Sequence, residues 1–325
     1  MSKKKAPGKH YREGISLLEL SQMFPNEKAA RDWFENILWA GGKNRVCPQC
    51  ESDNTYACKH KTMPYRCRDC GKYFSVKTGT LMQDSPIPML KWIYAIYLDV
   101  CSLKGVSSMK LRRDLKITQK TAWFMQQRIR EAFKQEGPNV MFGPAEVDES
   151  YFGGKEGNKH KSKRLNAGRG TVGKTAVVGI KDRATNEINA EVIENTDAKT
   201  LQGFVGEHVI EGTTVITDDA PAYKGMKMNH KVVKHSVGEY VKEQAHINGI
   251  ESFWATLKRA HKGTFHKLSA KHLQRYVNEF AGRHNIRELD TIEQMVLISS
   301  RFSNKHLPYA ELIAENGLDR VATEA

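Results

Sequence analysis

Ala145-Glu146-Val147-Asp148-Glu149-Ser150-Tyr151-Phe152-Gly153-Gly154 is the stretch from which the rest of the chain can be read. A mostly apolar run carries one acid of interest, Asp148, and stops at a Gly-Gly break, which is the pattern of a short strand. One acid on a strand means little alone. Seventy residues on, Thr213-Thr214-Val215-Ile216-Thr217 is a second strand pattern, and it ends in Asp218-Asp219. Thirty-three residues after Asp218 comes Glu251, within His246-Ile247-Asn248-Gly249-Ile250-Glu251-Ser252-Phe253-Trp254, which has helical spacing. Two strand-borne acids and one helix-borne acid form a set of hard oxygen ligands suited to two Mg²⁺ (or Mn²⁺) ions. A metal pair can stabilise both the attacking and the leaving oxygen of a phosphoryl transfer. The expected chemistry is metal-dependent cutting and joining of DNA strands.

Composition agrees with that partner. The chain has 325 residues, 51 Lys and Arg against 37 Asp and Glu, and a net charge of +14. Its length allows two or three domains with their own cores, and its charge favours a polyanion. Met1 to Arg12 is lysine-rich and polar, a basic arm rather than a signal segment. The longest apolar run, Trp92 to Leu98, is broken by Asp99 and is too short to span a bilayer. The expectation is a cytoplasmic, nucleoid-associated protein with no membrane partner.

Six cysteines in a reducing compartment point to metal rather than to disulfides. Four of them, Cys47, Cys50, Cys67 and Cys70, read C-x2-C-x16-C-x2-C. Two thiolates on each of two tight knuckles complete a tetrahedral structural Zn²⁺ site, and a ribbon this small needs the metal to fold. Cys58 and Cys101 fall outside the pattern and read as non-ligands. Upstream, Ala30, Trp33, Phe34, Ile37 and Leu38 recur at helical spacing before Gly41-Gly42.

Residues 88–134 read as all-helical. Leu90, Ile93, Tyr94, Tyr97 and Leu98 form one stripe, a second helix runs about Ser107 to Leu115, and Thr118 is an N-cap for a third. In the third, Ala122, Met125, Ile129 and Phe133 are expected inside. Gln119, Lys120, Gln126, Gln127 and Arg130 are expected outside, where they reach bases and phosphates as in a helix-turn-helix. An ordinary helical linker with a solvated polar face is the competing reading. Beyond Gly137-Pro138 and Gly143-Pro144 the pattern changes to strands near 145–152, 175–182, 187–193, 213–217 and 231–235, with helices at 198–209 and after 246. That is a mixed α/β sheet layer. Two basic runs follow the acids: Lys155, Lys159, Lys161, Lys163, Arg164 and Arg169, then Lys258, Arg259, Lys262, Lys267, Lys271 and Arg275. Such runs are usually solvated faces; set beside metal ligands they read as rails for a phosphate backbone.

The Val147–Lys155, Thr217–Tyr223 and His246–Arg259 motifs, together with the cysteine ribbon, resemble the ISXO-like insertion-sequence transposases of the DDE superfamily. The resemblance covers most of the chain. It implies a ribonuclease-H-like, retroviral-integrase-type catalytic domain, two Mg²⁺ ions, double-stranded DNA as substrate, and a homo-oligomer assembled on DNA. By position, Asp148 and Asp218 match the first two ligands, with Asp219 capping the next helix. The third ligand is either Glu251 or Asn248, and a carboxylate, the better Mg²⁺ ligand, favours Glu251. Lys258 matches a basic residue that contacts phosphate near the scissile bond. The organisation implied is an arm and helix (1–42), zinc ribbon (43–82), helical DNA-binding segment (83–137), catalytic domain (138–288) and C-terminal helical tail (289–325). Two rivals share these features: a DNA-binding regulator with a relic catalytic domain, and a ribonuclease-H-like nuclease that never joins strands.

Overall fold

The computed structural model describes residues 14–41, 43, 45–134, 137, 140–154, 157, 160–165, 170–233 and 246–314, with Lys163 described by its backbone alone. The expected basic arm, Lys155, Lys159, Arg169 and residues 315–325 lie outside the described residues. The chain divides into two compact units, one of residues 1–132 with 286–313 and one of residues 133–285 with 314–325.

In the first unit, α1 (Leu17–Met23) opens with a Ser16/Glu19 capping box that the helical spacing alone did not announce. Helix α2 (Glu27–Trp39) buries Ala30 and Phe34 and ends at a left-handed Ala40. Strands β1 (Thr55–Ala57), β2 (Tyr65–Cys67) and β3 (Tyr73–Phe74) make an antiparallel three-stranded ribbon. Next come α3 (Met89–Cys101), α4 (Ser108–Leu115) and α5 (Gln119–Phe133). Pro88 cannot cap α3 with a side chain. The Glu27 carboxylate does so instead, accepting Met89 N–H at 2.6 Å and Leu90 N–H at 3.0 Å. An anion is favourable there because the first N–H groups of a helix have no intrahelical partner. Thr118 caps α5, as expected, and Ser107, read as the first residue of α4, is its cap instead.

One expectation for α5 fails. Gln126, Gln127 and Arg130 are 4%, 0% and 2% exposed, so they do not present a DNA-reading face. The helix is enclosed on its polar side as well as its apolar one. Gln126 Nε2 donates to Val106 O at 2.6 Å, and Arg128 donates to Leu307 O and Gln83 O with its guanidinium 4.2 Å over Phe124. A polar side chain survives burial when its donors are matched in this way. Gln119 and Lys120, at the start of the helix, remain exposed.

The second unit is built on a five-stranded sheet of order β6-β5-β4-β7-β8. Strands β4 (Ala145–Phe152), β5 (Thr175–Asp182) and β6 (Ile188–Ile193) form an antiparallel meander. Helix α6 (Ala198–His208) then carries the chain across to β7 (Thr214–Thr217), which runs parallel to β4, and β8 (Asn229–Val232) runs parallel to β7. Helices α7 (Asn248–Ala260) and α8 (Ala270–Asn285) follow. Side chains alternate across a strand. Ala145 and Val147 accordingly pack with Leu201, Phe204, Val205 and Tyr223, while Phe152 packs with Ile250, Phe253, Trp254 and Leu257 on the other face. Trp254 is core, 3% exposed, as its spacing implied. This is a mixed α/β fold consistent with a ribonuclease-H-like domain.

Residues expected in a C-terminal tail join the first unit instead. Helices α9 (Thr291–Ser300) and α10 (Tyr309–Ile313) belong to it. Phe302 lies 6.4 Å from Phe34 and 5.9 Å from Trp92, ring to ring, and Tyr309 stacks edge-on to Phe124 at 5.4 Å. The aromatic rings of this segment find their burial there, which sequence order does not reveal.

Candidate active site

Strand β4 is the carrier. Asp148 shares a face with Glu146, Ser150 and Phe152, the face covered by α7. Parallel pairing sets Glu146 opposite Ile216, so carrying the register two residues further places Asp218 beside Asp148, past the end of β7. The charge of Asp218 is among those that act on Asp148, so the two carboxyls lie near one another. Asp218 also shapes its own turn: Oδ1 accepts Ala220 N–H at 3.0 Å. Asp219 was expected to cap the helix that follows; the short 3₁₀ turn Pro221–Tyr223 starts instead from Ala220, with no side-chain cap. Thr217 Oγ1 donates to Asp218 O at 2.7 Å and lies 2.8 Å from His230 Nε2.

The third acid arrives on α7, and two glycines let that helix approach. A Cβ at Gly179, the register partner of Asp148, would meet the Trp254 ring at 2.7 Å and Ile250 at 3.1 Å. A Cβ at Gly249 would meet Glu146 Oε2 at 2.6 Å and Lys181 Nζ at 2.7 Å. Glu251 sits in the first turn and is exposed, with Asn248 one turn before it and Lys258 two turns after, both exposed. Lys262 is exposed in the π-turn that follows.

Electrostatics ties the three acids together. Burial pushes the Asp148 carboxyl up to about 7, and the negative charges of Glu149, Asp218 and Glu251 push in the same direction. Glu149, on the opposite face of β4, is also raised by burial and by Asp218, against the lowering hydrogen bond from Tyr223 Oη at 2.7 Å. Tyr223 is wholly buried and its hydroxyl is raised by burial and by Glu149. Asp182 shows the contrast: it is fully buried, yet its two oxygens accept four backbone N–H groups, from Phe142, Gly143, Ala184 and Thr185. The oxygens of Asp182 are satisfied by the chain's own N–H groups, whereas a charge on Asp148 is opposed by burial and by its neighbours.

A pH dependence follows. Since the folded-state value lies above the ordinary 3.8, the folded protein binds this proton more tightly than the unfolded chain. The penalty for the carboxylate is absent below about pH 4 and grows as pH rises through 7. Asp148→Asn is therefore expected to melt higher than wild type at pH 8 without added divalent ion, by roughly 1–4 kcal/mol, with the gap mostly closed at pH 5. Equal melting of the two proteins at pH 8 would show that the site does not store this repulsion.

The four cysteines form a separate centre. Sγ atoms of Cys47 and Cys70 lie 3.6 Å apart, those of Cys50 and Cys67 3.7 Å, and all four fall within 4.8 Å of one another. A tetrahedron of Zn–S bonds of ~2.3 Å has edges of about 3.8 Å, so the set fits Zn²⁺. Among the described residues this is the group whose ligand atoms converge so closely. The oxygens of Asp148, Asp218 and Glu251 do not converge to that degree. Cys58 donates to Met63 O and stands outside the cluster, as does Cys101.

The ribbon also presents a row of rings and guanidiniums. Tyr56, Arg66 and Tyr73 are cross-strand partners in adjacent strands. Arg66 lies 5.0 Å over Tyr73, and Arg68 lies 4.7 Å over Tyr56. Of the first basic run, Lys161 and Arg164 are described and exposed, with Arg164 donating to Gly157 O. His246 is structural: its carbonyl accepts from Arg183 and its ring faces Glu146. Glu146, Glu149, Tyr223 and Arg183 were missed in the sequence. Period-two alternation from Asp148 would have put Glu146 on its face, and Tyr223 closes the Thr217–Tyr223 motif.

Comparison with known proteins matches both the ribbon and the sheet domain. Residues 25–73 match the transposase zinc-ribbon domain and residues 141–285 the ISXO2-like transposase domain. A relative, an uncharacterized protein in transposable element ISH50 of Halobacterium salinarum, is 27% identical over 277 residues, covering 81% of this chain and 92% of the relative. A chain of the simian T-cell lymphotropic virus intasome in complex with PP2A regulatory subunit B56 gamma aligns at 10% identity and a TM-score of 0.27, over 51% of this chain and 63% of that one. With both domain matches falling in the order that the ribbon and the acidic sheet require, the chain belongs to the ISXO2-like insertion-sequence transposases.

Proposed function

We propose that the chain is a DNA transposase that binds the ends of its element and carries out Mg²⁺-dependent strand cleavage and strand transfer. The observation that carries this reading is the shared field of Asp148, Asp218 and Glu251 where β4, β7 and α7 meet. A carboxyl whose affinity for a proton is raised by its own burial and by the acids around it is well placed to take a cation instead. Three hard oxygen donors fit two Mg²⁺ or Mn²⁺ ions, which when bound lower the pKa of the attacking water or 3′ hydroxyl and neutralise the leaving 3′ oxygen. Glu251 is the assigned third ligand, with Asn248 one turn away as the competing donor.

The remaining residues hold DNA. Lys258, on the Glu251 face of α7, meets a phosphate near the scissile bond, and Lys262 extends that line. Gln119, Lys120, Lys161 and Arg164, with Lys155, Lys159, Lys163 and Arg169 of the same run, add phosphate contacts that position the duplex. On the ribbon, Arg66 and Arg68 are held over tyrosine rings, which reduces the side-chain entropy lost on meeting a phosphate. Structural Zn²⁺ keeps that face in shape. No described helix is long and apolar enough to cross a membrane. Action on DNA places the protein in the cytoplasm at the nucleoid, as a homo-oligomer joining two element ends.

The deciding experiment incubates the protein with DNA flanking its own gene and a target plasmid, with and without Mg²⁺. Metal-dependent 3′ nicks at the element ends and joined products are the expected outcome. Nicks without joining would favour the nuclease reading, and end binding with no nicks would favour the regulator.

A further inference from the structure

Glu146 lies two residues before Asp148 on the same face of β4 and is 2% exposed, a buried carboxylate that the chemistry above does not use. Both of its oxygens are engaged. Oε1 accepts Arg183 Nε at 2.8 Å and lies 3.4 Å from His246 Nδ1; Oε2 accepts the Ile250 N–H at 3.0 Å. Ile250 is in the first turn of α7, and the next residue is Glu251.

Helix α7 has no cap of its own. Ile247 occupies the N-cap position and makes no side-chain hydrogen bond. An uncapped first turn leaves orphan N–H groups, and it frays. The carboxylate that serves here comes from 104 residues away in sequence, on a strand of the sheet. Arg183, which follows β5, completes the clamp by donating through Nη2 to His246 O, the carbonyl just before the helix. Gly249 is the contact point, since any side chain there would strike Glu146 and Lys181 within 3 Å.

We propose that Glu146 is a positioning residue: through the Ile250 N–H it holds the first turn of α7 against β4, and so sets the distance between Glu251 and Asp148. A single strand then determines two of the three acids, one by carrying it and one by capping the helix that bears it. The carboxylate also favours the positive end of the helix dipole, and Arg183 compensates its burial. The proposal rests on the reading of Asp148, Asp218 and Glu251 as metal ligands, but its geometry does not.

The test therefore has an arm that needs no metal. In amide hydrogen exchange of the full chain without added divalent ion, Glu146→Ala is expected to speed exchange at Ile250 and Glu251 by about tenfold or more, while Glu146→Gln, whose amide oxygen still accepts, stays close to wild type. In the nicking assay, Glu146→Ala is expected to raise the Mn²⁺ concentration for half-maximal cleavage by about 10–100-fold, the range for residues that orient metal ligands, with end-DNA affinity unchanged and Glu146→Gln restoring most of the loss. Unchanged exchange at Ile250 in Glu146→Ala overturns the proposal. So does loss of exchange protection spread evenly over β4, β5 and α6, which would make Glu146 a general brace. Faster exchange confined to the start of α7, in a wild-type protein that never nicks, would sink the metal-ligand reading and leave the clamp standing.

Discussion

Asp148→Ala, Asp218→Ala and Glu251→Ala are each expected to lose strand cleavage by about 10³-fold or more while binding element-end DNA as wild type does. The magnitude follows from the several kcal/mol that metal ions contribute to a phosphoryl-transfer transition state, at about 1.36 kcal/mol per tenfold in rate. The separation of cleavage from binding follows from location. The acids lie at the junction of β4, β7 and α7, whereas Arg66 and Arg68 on the ribbon and Lys120 at the start of α5 lie in the other unit. Loss of activity through unfolding is not expected, since Asp148 is opposed by its neighbours' charges and its removal relieves them. Single-turnover nicking and end-DNA titration, read side by side, check the set. An active Glu251→Ala beside an inactive Asn248→Ala would transfer the third ligand to the amide, and full activity of Asp148→Ala would end the enzyme reading.

Removing zinc is expected to have the second-largest effect. The ribbon has a small core, Cys47, Cys67 and Phe74 with Trp39 and Tyr65 against them, and two of those buried groups are ligands themselves. Structural Zn²⁺ in peptides of this size contributes apparent folding free energies of about 10–16 kcal/mol, more than such a core supplies. A thiol-selective zinc chelator is therefore expected to melt residues 47–70 and to weaken end binding by tenfold or more. Cleavage of a pre-nicked or short single-site substrate, which leans on the sheet domain, should fall much less. Far-UV circular dichroism with zinc release measured colorimetrically follows the first effect, and DNA titration the second. Release of zinc with no change in either signal would mean that the ribbon folds on its apolar residues alone.

Legibility in the sequence tracked how local each cause is. Strands β4 and β5 were expected at their observed residues, because a stretch of strand formers ended by Gly, as in β4, or an apolar run ended by charge, as in β5, depends only on near neighbours. The cysteine quartet was legible because ligand spacing on two knuckles is a local constraint, and its four sulfurs do meet. Failures lie where a partner comes from far away. Gln126 and Arg130 read as an outward face, since a helix repeat cannot say how many of its sides are covered. Residues 289–313 read as a tail, since nothing near Phe302 announces Phe34 or Trp92.

What the amino-acid sequence determined by itself was the inventory of side chains: the carboxylates at 148, 218 and 251 that we propose as metal ligands, the thiols at 47, 50, 67 and 70, the basic runs, and a mixed sheet to carry them. What only the tertiary structure decided was their arrangement. Parallel pairing of β4 with β7 set Asp218 beside Asp148, and the Glu146–Ile250 bond and the Gly179 and Gly249 contacts brought the helix bearing Glu251 against them. Strand register and helix docking are set by contacts between residues seventy to a hundred positions apart. No local pattern encodes such contacts, and each becomes favourable only after the sheet has formed.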